Sequence, residues 1–280
     1  MECIVKLTYL GTAASEGWPA LFCNCEYCKK AKRLGGKNIR TRSQALVNED
    51  LLLDFPGDTY AHMLQCGADF SAIKYCFITH SHIDHWLPAD LTFRRESAYA
   101  HNMTEPKLEF YGNETVSDRF KQVFSIWEGR HLERPHILKP FQAVLVGDYE
   151  VTPLLADHAP GENAFVYMIR QNGKTLLYLH DTGLLPEPSM DYLAHRQVKA
   201  DLISYDCTNV ILEWDGRGHM GLNNIRDLRK TFEELSVSGK NTVSVINHFS
   251  HNGKYCHDEL EPLAAKLGFL TAFDGMTVEF

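Results

Sequence analysis

Hydrophobic and polar positions alternate along the chain in short apolar runs that end abruptly in a ligand-type side chain. Ile73-Lys74-Tyr75-Cys76-Phe77-Ile78-Thr79 is β-branched and aromatic, of strand length, and runs into His80. Val151 to Leu155 is followed by Ala156-Asp157-His158, Thr175 to Leu179 by His180-Asp181, and Thr242 to Asn247 by His248. Each run predicts a strand, and four strands ending in His or Asp form a pattern that chance explains poorly. Phe165 to Arg170 and Thr175 to Leu179, joined through Gln171-Asn172-Gly173-Lys174, predict a hairpin with an Asn-Gly turn. Ile225, Leu228, Phe232 and Leu235 at helical spacing predict a helix over 223–235, with Asn223 or Asn224 as its cap. A further helix is expected from His257 to Leu267, stopped by Gly268. Met1 to Leu10 reads as the first strand. Residues 91–140 read as a helix-containing insertion with a strand near Lys107 to Tyr111. Its Trp127 and many charges fit no clear period, and His101, His131 and His136 are expected at the surface.

The chemistry concentrates in His80-Ser81-His82-Ile83-Asp84-His85, where four potential metal ligands fall within six positions at a strand end. Loops on a rigid scaffold can aim several side chains at one point, and imidazole with carboxylate suits zinc, manganese or iron. A second cluster, Cys23-Asn24-Cys25-Glu26-Tyr27-Cys28, has thiols too close together to pair easily as disulfides. It suits a tetrahedral soft-metal site that needs a fourth ligand, for which His251 is the candidate. Cys3, Cys66, Cys76, Cys207 and Cys256 show no ligand spacing and are expected to be ordinary reduced residues.

The order H-x-H-x-D-H, His158, Asp181 in a D-T-G context and His248 resembles the metallo-β-lactamase superfamily. The likeness runs from Leu10-Gly11-Thr12 to Phe273-Asp274-Gly275-Met276. It implies an α/β fold, a four-layer αββα sandwich, as one domain over residues 1–280. It also implies one metal on His80, His82 and His158, a second on Asp84, His85 and His248, and Asp181 bridging them. The C-x-C-x-x-C cluster resembles the PhnP-like phosphodiesterase subgroup, in which a structural zinc sits on Cys23, Cys25, Cys28 and His251. That subgroup also suggests His219, in Gly218-His219-Met220-Gly221-Leu222-Asn223, as the acid that protonates a leaving alkoxide; imidazole titrates in the right range for it. Asp84 and His219 are the candidate catalytic residues, and Asp157, Asp206 and Asn247 could orient ligands.

The expected function is metal-dependent hydrolysis of small, including cyclic, phosphodiesters. Two catalytic divalent ions, zinc or manganese, share a water and lower its pKa. Two alternatives stay open: a pyrroloquinoline quinone biosynthesis protein B-like oxygenase or carrier, and an RNA-processing nuclease of the same fold. Net charge −8 disfavours generic nucleic-acid binding. The basic cluster from Lys29 to Arg33, with Lys37, Arg40 and Arg42, reads as a solvated helix end or an anion-steering patch. No apolar stretch approaches the roughly 20 residues needed to span a bilayer, and the N-terminus lacks a signal-like pattern, so a cytoplasmic protein is expected. No feature encodes oligomeric state, and a homodimer is left open.

Overall fold

The computed structural model describes residues 4–95, 98–125 and 135–280. Cys3, Trp127 and His131 lie outside the described residues. Among the described residues, two seven-stranded sheets pack face to face. The first holds β1 (Lys6–Gly11), β2 (Gln44–Val47), β3 (Leu51–Leu53), β4 (Tyr75–Phe77), β5 (Glu109–Gly112), β6 (His136–Ile137) and β14 (Met276–Glu279), in the order β14-β1-β2-β3-β4-β5-β6. The second holds β7 (Val144–Val146), β8 (Tyr149–Leu155), β9 (Phe165–Gln171), β10 (Lys174–Leu179), β11 (Leu202–Asp206), β12 (Val243–Asn247) and β13 (Leu270–Thr271), in the order β13-β12-β11-β10-β9-β8-β7.

The layers follow from which faces are apolar. Between the sheets, Leu7, Tyr9, Val47, Phe77, Val151, Tyr167, Tyr178 and Val245 form one buried cluster. Outside the second sheet lie α1 (Glu26–Leu34), α4 (Glu187–His195), α5 (Leu222–Glu234) and α6 (His257–Lys266), burying Ala31, Leu193, Ile225, Phe232 and Leu260. Outside the first lie α2 (Thr59–Cys66) and α3 (Glu114–Phe124), with Val116 and Phe120 packed on Phe110 and Ile78. This is the expected αββα sandwich. Full burial of one such side chain stabilises the fold by about 1.5–3 kcal/mol.

The expected hairpin is β9–β10, its Asn172-Gly173 turn taking φ 53 and 78, as a type I′ turn requires. The helix at 223–235 begins one residue earlier, and Gly221 is its cap. Asn224 instead sits in the first turn and accepts a hydrogen bond from the Gly221 N–H at 3.0 Å. The described residues between 91 and 140 complete the first sheet instead of inserting into it: β5 pairs in parallel between β4 and β6, and α3 covers that sheet. The basic cluster is largely engaged. Lys30 pairs with Glu259, Arg42 with Asp58, and Arg40 is buried, donating to Thr12 Oγ1 and Ala272 O. Among the described residues, no helix is long and apolar enough to cross a membrane.

β4 ends sooner than its sequence predicts. Thr79 leaves the ladder because its N–H and hydroxyl both donate to Asp54 Oδ1, at 2.8 and 2.9 Å. That departure turns the following histidines toward the ends of β8, β10, β11 and β12. β10, β11 and β12 run parallel, and β8 is antiparallel to β9, which is antiparallel to β10, so their C-terminal ends share one edge. Sites on α/β sheets gather at such carboxyl ends.

Candidate metal centre

His80, His82, Asp84 and His85 leave the end of β4, His158 follows β8, Asp181 follows β10, Asp206 closes β11 and His248 follows β12. The structure brings His80, His82 and His158 together as one group. Asp84, His85, Asp181 and His248 form a second. Within each group the facing atoms all lie within 4.8 Å of one another. Asp181 Oδ2 is central: it stands 3.9 Å from His80 Nε2, 3.3 Å from His158 Nε2, 3.4 Å from His85 Nε2 and 3.6 Å from His248 Nε2. His82 Nδ1 lies 3.2 Å from His158 Nε2, and Asp84 Oδ2 3.3 Å from His85 Nε2.

The inward nitrogens are fixed by partners on the outward ones. His85 Nδ1 donates to Asp54 Oδ2 at 2.7 Å, and His158 Nδ1 to Gly218 O at 3.1 Å. Thr79 Oγ1 lies 3.0 Å from His80 Nδ1 and itself donates to Asp54. Thr208 Oγ1 lies 2.8 Å from His248 Nδ1 and donates to Asp206 Oδ2 at 3.1 Å. With each hydroxyl proton spent on a carboxylate, the network assigns the Nδ1 proton to both imidazoles and leaves Nε2 as a bare lone pair. His80 Nε2, His85 Nε2 and His248 Nε2 are buried without a hydrogen-bond partner. Buried polar atoms rarely go unpaired, and three convergent ones fit a cation. His248 is held at φ 62, in the left-handed region, with its neighbour's N–H donating to Thr12 O.

Charge shifts agree with that packing. Burial pushes His80 well below its ordinary pKa. Burial acts the same way on His85, yet Asp54, Asp84 and Asp181 outweigh it and raise that ring. Burial would raise Asp84, but His85 lowers it to about 2. Asp181 is likewise held far below the carboxylate range by His248, His219 and His158 against its burial. Both carboxylates are therefore anionic at neutral pH. His219 joins the group through Asp181 Oδ1 at 2.7 Å and Asp206 Oδ2 at 3.3 Å. Burial opposes protonation of His219, but these two carboxylates prevail and raise it to about 11.

Of the orienting residues expected, Asp206 contacts His219 and also accepts from Thr208 N and Met220 N. Asp157 takes the Gly218 N–H and so holds the loop before His219. Asn247 turns instead to the buried His180, at 3.3 Å. Asp54, Thr79 and Thr208 are orienting residues that the sequence does not single out. Leu51-Leu52-Leu53-Asp54 carries the same signature of an apolar run ending in a carboxylate, without a neighbouring histidine to draw notice.

The cysteine cluster meets a histidine that is 226 residues from Cys25 and 228 from Cys23 along the chain. Cys23, Cys25, Cys28 and His251 place one donor atom each within 4.8 Å of the others. His251 Nδ1 is 3.6 Å from Cys25 Sγ and 3.8 Å from Cys23 Sγ. Backbone N–H groups of Ala20, Cys25 and Cys28 donate to Cys28, Cys23 and Cys25 sulfurs. Burial would raise Cys25, but the Cys28 N–H and His251 lower it to about 6, so one thiolate is ready at neutral pH. Burial pushes Cys28 up to about 12.

The beta-lactamase superfamily domain matches residues 52–243, more than half of the chain. No curated protein sequence matches it. Among solved structures, a diphosphatase from the PhnP family is 24% identical, covers 100% of this chain and 98% of its own, and superposes with a TM-score of 0.75. Zinc-bound PqqB from Methylobacterium extorquens is 18% identical over 98% of this chain and 99% of its own, with a TM-score of 0.74. The short form of human tRNase Z is 18% identical over 98% of both chains, with a TM-score of 0.66. The chain belongs to the beta-lactamase superfamily, with the fold of its metal-dependent hydrolases.

Proposed function

From that membership, we propose that the protein is a metal-dependent phosphodiesterase acting on small, including cyclic, phosphodiesters. The observation that carries the proposal is the position of Asp181 Oδ2, between His80 and His158 on one side and His85 and His248 on the other. His80, His82 and His158 would hold one divalent ion, Asp84, His85 and His248 the other, and Asp181 both; zinc and manganese each suit such ligands. Cys23, Cys25, Cys28 and His251 would hold a structural zinc. A bound pair of divalent ions lowers the pKa of water and neutralises charge on phosphoryl oxygens.

The chain supplies the remainder. Asp54, Thr79 and Thr208 fix imidazole orientation before substrate arrives, so no reorganisation is needed during reaction. Asp84, anionic and buried, keeps negative charge beside His85 and limits the net charge of the centre. His219 is protonated and held by Asp181 and Asp206 through Nδ1, which leaves Nε2–H for the substrate. A water that has lost a proton to solvent would attack phosphorus in line, the opposite P–O ester bond would break, and His219 would give its proton to the departing oxygen and regain one from solvent. Cations drawing on Asp181 would weaken its hold on His219 and bring that ring toward a working pKa.

The likeness to a PhnP-family diphosphatase supports phosphorus–oxygen chemistry. The likenesses to PqqB and tRNase Z keep a carrier or an RNA nuclease as the competing readings. Protein reconstituted with zinc or manganese should turn over bis(p-nitrophenyl) phosphate and ribosyl cyclic phosphates. Turnover of thioesters or β-lactams alone, or of no ester, would remove the proposal.

A further inference from the structure

One ring of the two ligand groups is not steadied from outside them. His80, His85, His158 and His248 each set a nitrogen against Thr79, Asp54, Gly218 O or Thr208. His82 has no such partner. Among the described residues, its ring makes one hydrogen-bond contact, Nδ1 to the neighbouring ligand nitrogen His158 Nε2 at 3.2 Å, and the residue is exposed. The place of His82 therefore depends on its backbone. Its carbonyl accepts from His85 N at 3.0 Å and Trp86 N at 2.8 Å, which fixes the chain after it. The chain before it is fixed from the other sheet.

Glu162 makes that attachment. It lies on the β8–β9 loop that also carries His158, and it belongs to neither ligand group. Ser81, between His80 and His82, donates its N–H to both carboxylate oxygens at 3.2 and 3.1 Å, and its hydroxyl to Oε1 at 2.8 Å. Asn113, the N-cap of α3, donates through Nδ2 to Glu162 Oε2 at 2.7 Å and to Asn163 O at 2.8 Å. Asn113 Oδ1 accepts from Val116 N at 2.9 Å, so the amide cannot turn over without losing all three bonds. Ser81 and Asn113 are buried, and loss of the carboxylate would strand their donors. The loop is shaped to present Glu162. Ala156 N donates to Ala164 O at 2.9 Å across its base, and Glu162 N to Ala159 O at 3.2 Å. Gly161 completes the turn at φ 106, where a side chain would be strained.

We propose that Glu162 is a positioning residue for the ion that His80, His82 and His158 would hold: by clamping Ser81 it fixes where His82 points before the ion arrives. The clamp joins the two loops that supply all three imidazoles, and none of its hydrogen bonds reaches Asp84, His85 or His248. Without it, His82 must be ordered as the ion binds, and that ordering weakens binding at this position alone. The inference rests on the metal centre proposed above and not on its substrate, because metal binding and amide exchange read it.

The test is a titration of zinc alone, against a metal-sensitive dye, into full-length protein freed of exchangeable ions by mild chelation. Glu162→Ala should weaken one of two ions by about 10–100-fold and leave the other nearly unchanged. Glu162→Gln keeps an acceptor for Ser81 but sets a donor against Asn113, so it should regain part of the loss. His82→Ala removes a ligand of the same ion, so adding Glu162→Ala to it should cost little more. In the chelated protein, Glu162→Ala should speed hydrogen exchange at the Ser81 amide and leave β10, β11 and β12 protected. Equal weakening of both ions, full additivity with His82→Ala, or native metal binding beside faster Ser81 exchange would make Glu162 a structural strap and overturn the assignment. A native chain that binds no exchangeable ion would overturn both the clamp and the metal centre. Two ions bound with the expected Glu162 effects, but no phosphodiester turnover, would uphold the clamp and remove the proposed reaction instead.

Discussion

The His/Asp centre and the cysteine cluster are both groups of metal-ligating side chains, yet they are built in opposite ways. The centre draws one or a few groups from each of several strand ends in both sheets, and His80, His85 and His248 are oriented by the buried Thr79, Asp54 and Thr208. The cysteine cluster takes three of four donors from six consecutive residues, and Cys25 doubles as the N-cap of α1, accepting from Cys28 N. Only His251 is remote, three positions after His248. The fold assembles the first site; a zinc on the second would help to assemble the fold, by pinning the His248 loop to the N-terminal segment. Loss of a ligand should therefore cost activity in one and stability in the other.

The largest effect is expected from Asp181→Ala. Without the central carboxylate two cations would face each other unscreened, so metal content and phosphodiester turnover should fall together, turnover by about 10⁴-fold or more. Elemental analysis alongside rates checks this, and full metal content with lost activity would break the bridging role. His219→Ala should keep both metals and slow alkyl phosphodiesters by about 10²–10⁴-fold. The deficit should shrink with p-nitrophenolate, which departs without a proton; equal losses for both esters would leave His219 a binding or structural residue.

A smaller loss sharpens the contrast. Asp54→Asn and Thr208→Val touch no substrate, but each frees an imidazole to rotate, and about 10–100-fold in metal affinity or rate is expected. Competition with a metal-sensitive dye measures it. Cys25→Ser should act on the other axis, removing the structural zinc and lowering stability by about 3 kcal/mol, or roughly 6–12 °C in Tm for a chain of this size. Turnover at low temperature should change far less, and a collapse of turnover with Tm unchanged would reverse the proposed division.

The smallest effect is a pH dependence in metal-free protein. His219 is raised to about 11 by Asp181 and Asp206, against its burial. A raised value means that its stabilisation is complete below the unfolded pKa, about 6.5, and is lost as pH climbs toward about 11. The stability gap between the native chain and His219→Ala should narrow from pH 6 to pH 10. The ring is 30% exposed, so screening by water keeps the gap small.

Local features of the site were legible in the sequence; of the long-range ones, His251 as partner of the cysteines was, and the orienting partners of the histidines were not. H-x-H-x-D-H and C-x-C-x-x-C announce themselves by spacing, and the strand ends before His158, Asp181 and His248 by abrupt changes of polarity. Asp54 escaped because its role is defined by Thr79 and His85, reached only after β3 and β4 pair. Arg40 looked like part of a solvated basic run. Its partners Thr12, Ala272 and His257 lie up to 232 residues away, so its burial could not be read from neighbours. The segment from 91 to 140 reads as an insertion because β5 and β6 are short and pair into a sheet begun elsewhere.

Two ions seated about Asp181 are proposed to carry phosphodiester hydrolysis while a third is structural. Stepwise chelation, with metal content and bis(p-nitrophenyl) phosphate turnover followed on the same samples, tests it most directly. Three metals per chain should be found, two should be lost together with all turnover, one zinc should remain, and activity should recover when two equivalents of zinc or manganese are returned. Undiminished turnover in protein that holds only the cysteine-bound zinc would contradict it.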